Sequence, residues 1–177
     1  MNAAIARLEP VSDDEAATEA VAVFEQFRSA GAAVPPLYRV LAHAPDQLRA
    51  WDGLAGAMRG SVALELPLDV PVVLRVAHVV GSNRQWRHQV GRAGAAGLST
   101  TQLEALRSAQ PGDHPGFDDG QRAAIAVATS VGRGDRPSDG DFIALVEALG
   151  VERTIAVVMR ATYFRALAGL LAAFDLT

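Results

Sequence analysis

A polar cap followed three residues later by an acid or amide recurs five times in this chain. The instances are Ser12-Asp-Asp-Glu15, Ser82-Asn-Arg-Gln85, Ser99-Thr-Thr-Gln102, Asp118-Asp-Gly-Gln121 and, in weaker form, Ser138-Asp-Gly-Asp141. In each the later residue can reach back to the backbone N–H of the cap, which marks a helix start. Five starts require at least five helices. No Asn-Gly turn joins alternating apolar runs, and no segment repeats at a fixed period. The expected fold is therefore all-α, a compact single domain of about six to eight helices.

The spacing predicts an amphipathic helix after Ser12, with Ala17, Val21, Phe24 and Phe27 inward and an end near Gly31. Pro36 suits the first turn of a short helix with Leu37, Val40 and Leu41 inside, and Pro45 opens another that ends at Gly60. From Asp69, which reads as a cap with Pro71 in the first turn, the run Val70 to Val80 is apolar on nearly every side, as in a central buried helix. Its β-branched residues would equally suit a buried strand; the helical neighbours favour the helix. Further helices are expected from Ser99 to about Ala109, from Asp118 to Gly132, around Phe142 to Leu149, and from Ile155 to Phe174. The last exposes little that is polar, either because a partner subunit covers part of it or because it is buried within the monomer.

A chain of 177 residues with a net charge of −4 is large enough to bury a core and lacks the basic field of a nucleic-acid binder. It has no cysteine, which removes thiol nucleophiles, thiol redox couples and cysteine metal sites. All 16 basic residues are arginine, so no lysine Schiff base can form. The opening MNAAIARLEPVSDDE has no apolar stretch of the length a secretory leader needs, and no apolar run reaches the roughly 20 residues of a membrane span. A soluble, cytoplasmic protein is expected, without membrane or nucleic-acid partners.

Phosphate loops, HExxH pairs, EF-hand loops and the GxSxG elbow are absent, and His43, His78, His88 and His114 show no metal-ligand spacing. No metal and no cofactor are expected. His43 and His114 read as solvated histidines and His78 as a core histidine with one hydrogen bond. The remaining chemistry gathers around His88. In a helix begun at Ser82, Arg84, Gln85, His88 and Arg92 lie at spacings of three and four residues. Two guanidiniums beside an imidazole could hold a carboxylate and exchange a proton with it, although the same residues would also make an ordinary solvated basic face. Trp86 reads as core or as a stacking platform. Arg75 interrupts an apolar helix and must be paired, as in a buried ion pair, or reach a cavity, where it could bind an anion.

The segment LPLDVPVVLRVAHVVGSNRQWRHQVGRAGAAGLSTTQLEAL, with VPPLYRVLAHAPDQLRAW before it and FDDGQRAAIAVATSVGRGDRPSDGDFIALVEALG and TYFRALAGLLAAF after it, resembles the carboxymuconolactone decarboxylase and alkyl hydroperoxidase D-like superfamily. The resemblance covers residues 35–177 and leaves residues 1–34 as an N-terminal helix and connection. It implies an all-helical subunit that assembles as a homo-oligomer, a trimer or hexamer. In the peroxidase branch of the superfamily a glutamate, a Cys-x-x-Cys and a histidine form a thiol relay, and the matching positions here are Val70, Ser82, Gln85 and Gln89. Thiol peroxidase activity is therefore not expected. The decarboxylase branch, which handles carboxylated lactones without a cofactor, suits an arginine-rich site. The resulting expectation is a cofactor-independent lyase, decarboxylase or isomerase acting on a small carboxylated molecule. Its catalytic candidates are His88, Gln85 and Tyr163, and its substrate-binding candidates are Arg75, Arg84, Trp86, Gln89 and Arg92. The alternative is a non-catalytic binding or assembly protein on the same fold.

Overall fold

The computed structural model describes residues 7–60 and 63–176. The first six residues of the N-terminal stretch read above lie outside them. Among the described residues there are eight α-helices and no strand: α1 (Thr18–Ser29), α2 (Pro36–Leu41), α3 (Pro45–Gly60), α4 (Leu66–Val79), α5 (Asn83–Val90), α6 (Thr100–Ala105), α7 (Asp119–Arg133) and α8 (Asp139–Ala173), with a short 3-10 turn at Pro111–Asp113. No described helix is long and apolar enough to cross a membrane. The chain packs as two compact units, Ser61–Ala168 and the remainder.

In the smaller unit, Ala20, Val23 and Phe24 of α1 pack with Val34, Tyr38 and Leu48. Helix α1 begins at Thr18, later than the cap at Ser12 predicts. The Ser12 N–H and Oγ–H both donate to the Glu15 carboxylate, but only a turn follows. Arg39 donates to the carbonyl of Val11 and to the Asp13 carboxylate, and Val11 is buried, so the chain stays extended where a helix would have formed. The inward face shifts accordingly, leaving Val21 exposed.

The larger unit is built on α4, whose Val72, Val73 and Val76 pack against Ala124, Val127 and Ala128 of α7, while Val70, Leu74 and Ala77 pack against Leu106, Phe117 and Ile125. The helix starts at Leu66, one turn before Asp69, with Pro67 in its first turn. Pro71 therefore sits inside it, where its missing N–H leaves the carbonyl of Pro67 without a helical partner. The Gln121 side chain, held by the capping box that starts α7, donates to that carbonyl at 2.8 Å and fills the gap.

Helix α4 closes in a Schellman turn. The N–H of Gly81 (φ +70°) donates to His78 O at 3.0 Å and that of Ser82 to Ala77 O at 2.9 Å. Ser82 then caps α5, accepting from the Gln85 N–H at 3.4 Å. The corner thus fixes Ser82, Gln85 and Gln89 at set positions against α4.

Three further boundaries differ from expectation. Helix α6 ends at Ala105 because the carbonyls of Leu106 and Ser108 turn inward to a buried arginine. Helix α7 runs through Gly132 to end at Gly134: a Cβ on Gly132 would meet Val79 at 3.2 Å, so that glycine serves close packing, while Gly134 supplies the positive φ that stops the helix. The two expected C-terminal helices follow one another directly as α8, broken at Gly150, whose φ of 76° and ψ of 170° only glycine adopts readily.

Candidate active site at the α4–α5 corner

The residues of the corner divide by face. Ser82, Gln85, Trp86 and Gln89 are buried, whereas Arg84 and His88 are exposed. One residue along a helix turns the side chain by about 100°, which separates Gln89 from His88. Arg84 and His88 are both exposed, whereas Gln85 is buried and Arg92, past the end of α5, turns to Gln89 and Asp69.

What gathers at the buried face is a chain of polar contacts around Asp69, a residue 3% exposed that the sequence presents as a helix cap. Asp69 Oδ2 accepts from Arg92 Nη2 at 2.9 Å, and Asp69 Oδ1 lies 2.9 Å from Arg160 Nε of α8. The second approach is an ion pair that is not aligned as a hydrogen bond. Arg92 Nη1 donates to Gln89 Oε1 at 2.8 Å, and Gln89 Nε2 stands 3.3 Å from His88 Nδ1. Because arginine can only donate, the Gln89 amide is oriented with its NH2 toward His88. In that arrangement His88 Nδ1 is the acceptor and the ring N–H is on Nε2.

Gln85 donates through Nε2 to the carbonyl of Phe164 at 3.0 Å, which leaves its buried Oε1 with no hydrogen-bond partner among the described residues. Tyr163 is half-buried, edge-to-face with Phe164 at 5.4 Å between ring centroids. Asp69 and Arg160 are the site residues that the sequence pattern did not single out. Arg160 carried the same signal as Arg75, a charge inside an apolar helix.

The other candidates lie elsewhere. Arg75 is buried and has no acidic partner among the described residues: Nε donates to Thr129 Oγ1 at 2.8 Å and Nη1 to the carbonyls of Leu106 and Ser108, each at 2.9 Å. Burial, and then the charge of Arg133, hold its pKa below the ordinary arginine value. His78, expected in the core, is exposed at the end of α4, where its ring lies 6.4 Å from that of Trp86. His114 closes its own loop by accepting from the Gly116 N–H, and exposed His43 donates through Nε2 to the Glu9 carbonyl at 2.8 Å. Among the described residues no group of three or more His, Cys, Asp or Glu side chains is placed to hold a metal ion.

No protein-family model and no curated protein matches the chain. Solved structures do. The debrominase Bmp8 in its apo form superposes with a TM-score of 0.75 at 17% identity, over 98% of this chain and 91% of that one. An uncharacterised peroxidase-related protein from Ralstonia eutropha JMP134, described as an alkylhydroperoxidase AhpD core, gives 0.71 at 16% identity over 98% and 92%. A protein of unknown function from Agrobacterium tumefaciens, associated with AhpD, gives 0.65 at 16% over 77% and 93%. The fold that the sequence resemblance implied is borne out: the chain has the alkyl hydroperoxidase D-like fold.

Proposed function

We propose that the α4–α5 corner binds a small carboxylated molecule, and that the chain acts on it as a cofactor-independent lyase, decarboxylase or isomerase of the carboxymuconolactone decarboxylase and AhpD-like superfamily. One observation carries this reading: two guanidiniums, Arg92 and Arg160, share the single carboxylate of Asp69. The corner thus holds one positive charge in excess, and Arg92 is 38% exposed and able to turn to an incoming carboxylate. Gln85 Oε1 is buried and without a hydrogen-bond partner among the described residues, an acceptor for a substrate hydroxyl once the corner opens. His88, held by Gln89, presents Nε2–H as a hydrogen-bond donor to the substrate. Fold alone does not choose the reaction, since one neighbour is a debrominase.

The test is a titration with small carboxylic acids, carboxylated γ-lactones among them, followed by calorimetry for binding and by proton NMR for loss of carbon dioxide or rearrangement. Arg92→Ala leaves the Asp69–Arg160 pair in place and should weaken binding about tenfold or more. A wild-type chain that binds none of these acids sinks the reading. Binding without turnover favours the second reading, a non-catalytic binding protein. That alternative is supported by Ser82, Gln85 and Gln89 standing where the superfamily relay has its reactive groups.

A homo-oligomer belongs to the same proposal. Val151, Ile155 and Met159, four residues apart on α8, are 65%, 58% and 41% exposed, an apolar stripe of the kind that a second copy covers. Light scattering should find a trimer or hexamer, and Ile155→Glu should shift it toward monomer; a wild-type monomer at working concentration would refute this part.

A further inference from the structure

A cleft of about 350 Å³ in the larger unit is lined by Arg75, His78, Val79, Arg107, Ser108, Ala109 and Arg133. Three guanidiniums and an imidazole border it, and none of its lining residues is acidic. The chain as a whole carries a net charge of −4, and elsewhere in it arginines such as Arg28, Arg39 and Arg122 pair with carboxylates. Neither Arg107 nor Arg133 forms an ion pair with a described residue, and the hydrogen bonds of Arg75 occupy Nε and Nη1. Its Nη2 is left for the cleft. Arg75 is buried with no carboxylate partner among the described residues, and an anion in the cleft would supply the missing counter-charge.

The donors are also held in place. Arg75 is fixed by Thr129 and two carbonyls, and Arg107 rests over the Trp86 ring, 4.1 Å from its centroid. They come from three separate parts of the chain: α4, the turn after α6, and the end of α7. A single carboxylate offers two oxygens and one charge, and that of Asp69 is already shared out between two arginines. Three separate guanidiniums match an ion with three or more oxygens and two charges.

We propose that this cleft binds a phosphate-type dianion, free or carried as an ester on a small molecule. It shares no residue with the Asp69 network, so it stands or falls separately from the function proposed above. His78 at the rim reports on it. Partial desolvation of its ring, and then the charges of Arg75 and Arg107, hold its pKa below the ordinary histidine value. A bound dianion offsets those two charges and must raise it.

The experiment titrates the full chain at low ionic strength with inorganic phosphate, pyrophosphate, glycerol phosphate and sodium acetate, followed by calorimetry and by the NMR titration of the His78 ring. Phosphate-type probes are expected to bind at least tenfold more tightly than acetate and to move the His78 midpoint upward. Tighter binding of glycerol phosphate than of inorganic phosphate identifies an ester as the ligand, and the reverse identifies the free ion. Arg107→Gln and Arg133→Gln, both exposed and outside the core, should each weaken binding about tenfold. Acetate binding as tightly as phosphate, an unmoved His78 midpoint at saturating phosphate, or undiminished binding in both variants would each overturn the proposal.

Discussion

Asp69→Ala should lower the thermal unfolding midpoint by on the order of 10 °C, the largest effect expected from any single polar substitution in this chain. Removing the carboxylate leaves Arg160, whose side chain is 11% exposed, with no neutralising partner inside the larger unit. Arg92 is spared because it can swing into water. Stranding one member of a buried pair costs about 3–5 kcal/mol, several times the worth of an exposed ion pair. The double variant Asp69→Ala, Arg160→Met should recover much of the loss, since it removes the stranded charge and fills its volume with an apolar chain. Urea or thermal unfolding of the three variants measures this. A loss below about 1 kcal/mol in Asp69→Ala would show that the pair behaves as a surface contact.

The second large effect is expected at Trp86. It is 8% exposed and packs with Leu74, Ala96 and Leu106 beneath the guanidinium of Arg107. Trp86→Ala opens a cavity in that cluster, at a cost of about 3–5 kcal/mol, and it also removes the platform that steadies Arg107. Stability and phosphate affinity should therefore fall together. Trp86→Phe keeps most of the packing and part of the ring face, and should retain affinity within a few-fold while losing less stability. Unfolding curves paired with calorimetry separate the two contributions. Unchanged affinity in a folded Trp86→Ala protein would remove the ring from the account of the cleft.

The helical architecture was legible because it is written in local chemistry. The capping boxes at Ser99 and Asp118 form as their spacing requires, and Pro36 and Pro45 open helices where a missing N–H costs nothing. The failures are tertiary. Ser12 reaches Glu15, yet Arg39 arrives from 28 residues beyond Val11 and holds the neighbouring backbone extended. His78 lies in an apolar run, but the helix ends one residue later and its ring emerges at the rim.

The site shows the same division. Ser82, Gln85 and Gln89 could be placed because a helix start fixes their phase. Asp69 was concealed because an acid shortly before a proline resembles a cap, whereas the real cap position, Glu65, makes no side-chain capping bond. Its partner Arg160 lies 91 residues further along, and no local pattern connects the two. Arg75 was recognised as anomalous from its surroundings alone; that it shares a cleft with Arg107 and Arg133 follows only from how α4, α6 and α7 meet.

The break at Gly150 has a consequence for chain length. From Val151 onward the helix is a rigid screw, so one residue sets the azimuth of every residue after it. Met159 faces outward while its neighbour Arg160 turns inward to Asp69, and only about 100° of rotation divides them. Adding or deleting one residue at this joint would bring the apolar stripe toward the ion pair and carry the arginine out to solvent. The glycine thus sets the angular zero from which both the outer surface and the inner charge are counted, and the residue number between Gly150 and Arg160 is as constrained as the identity of either.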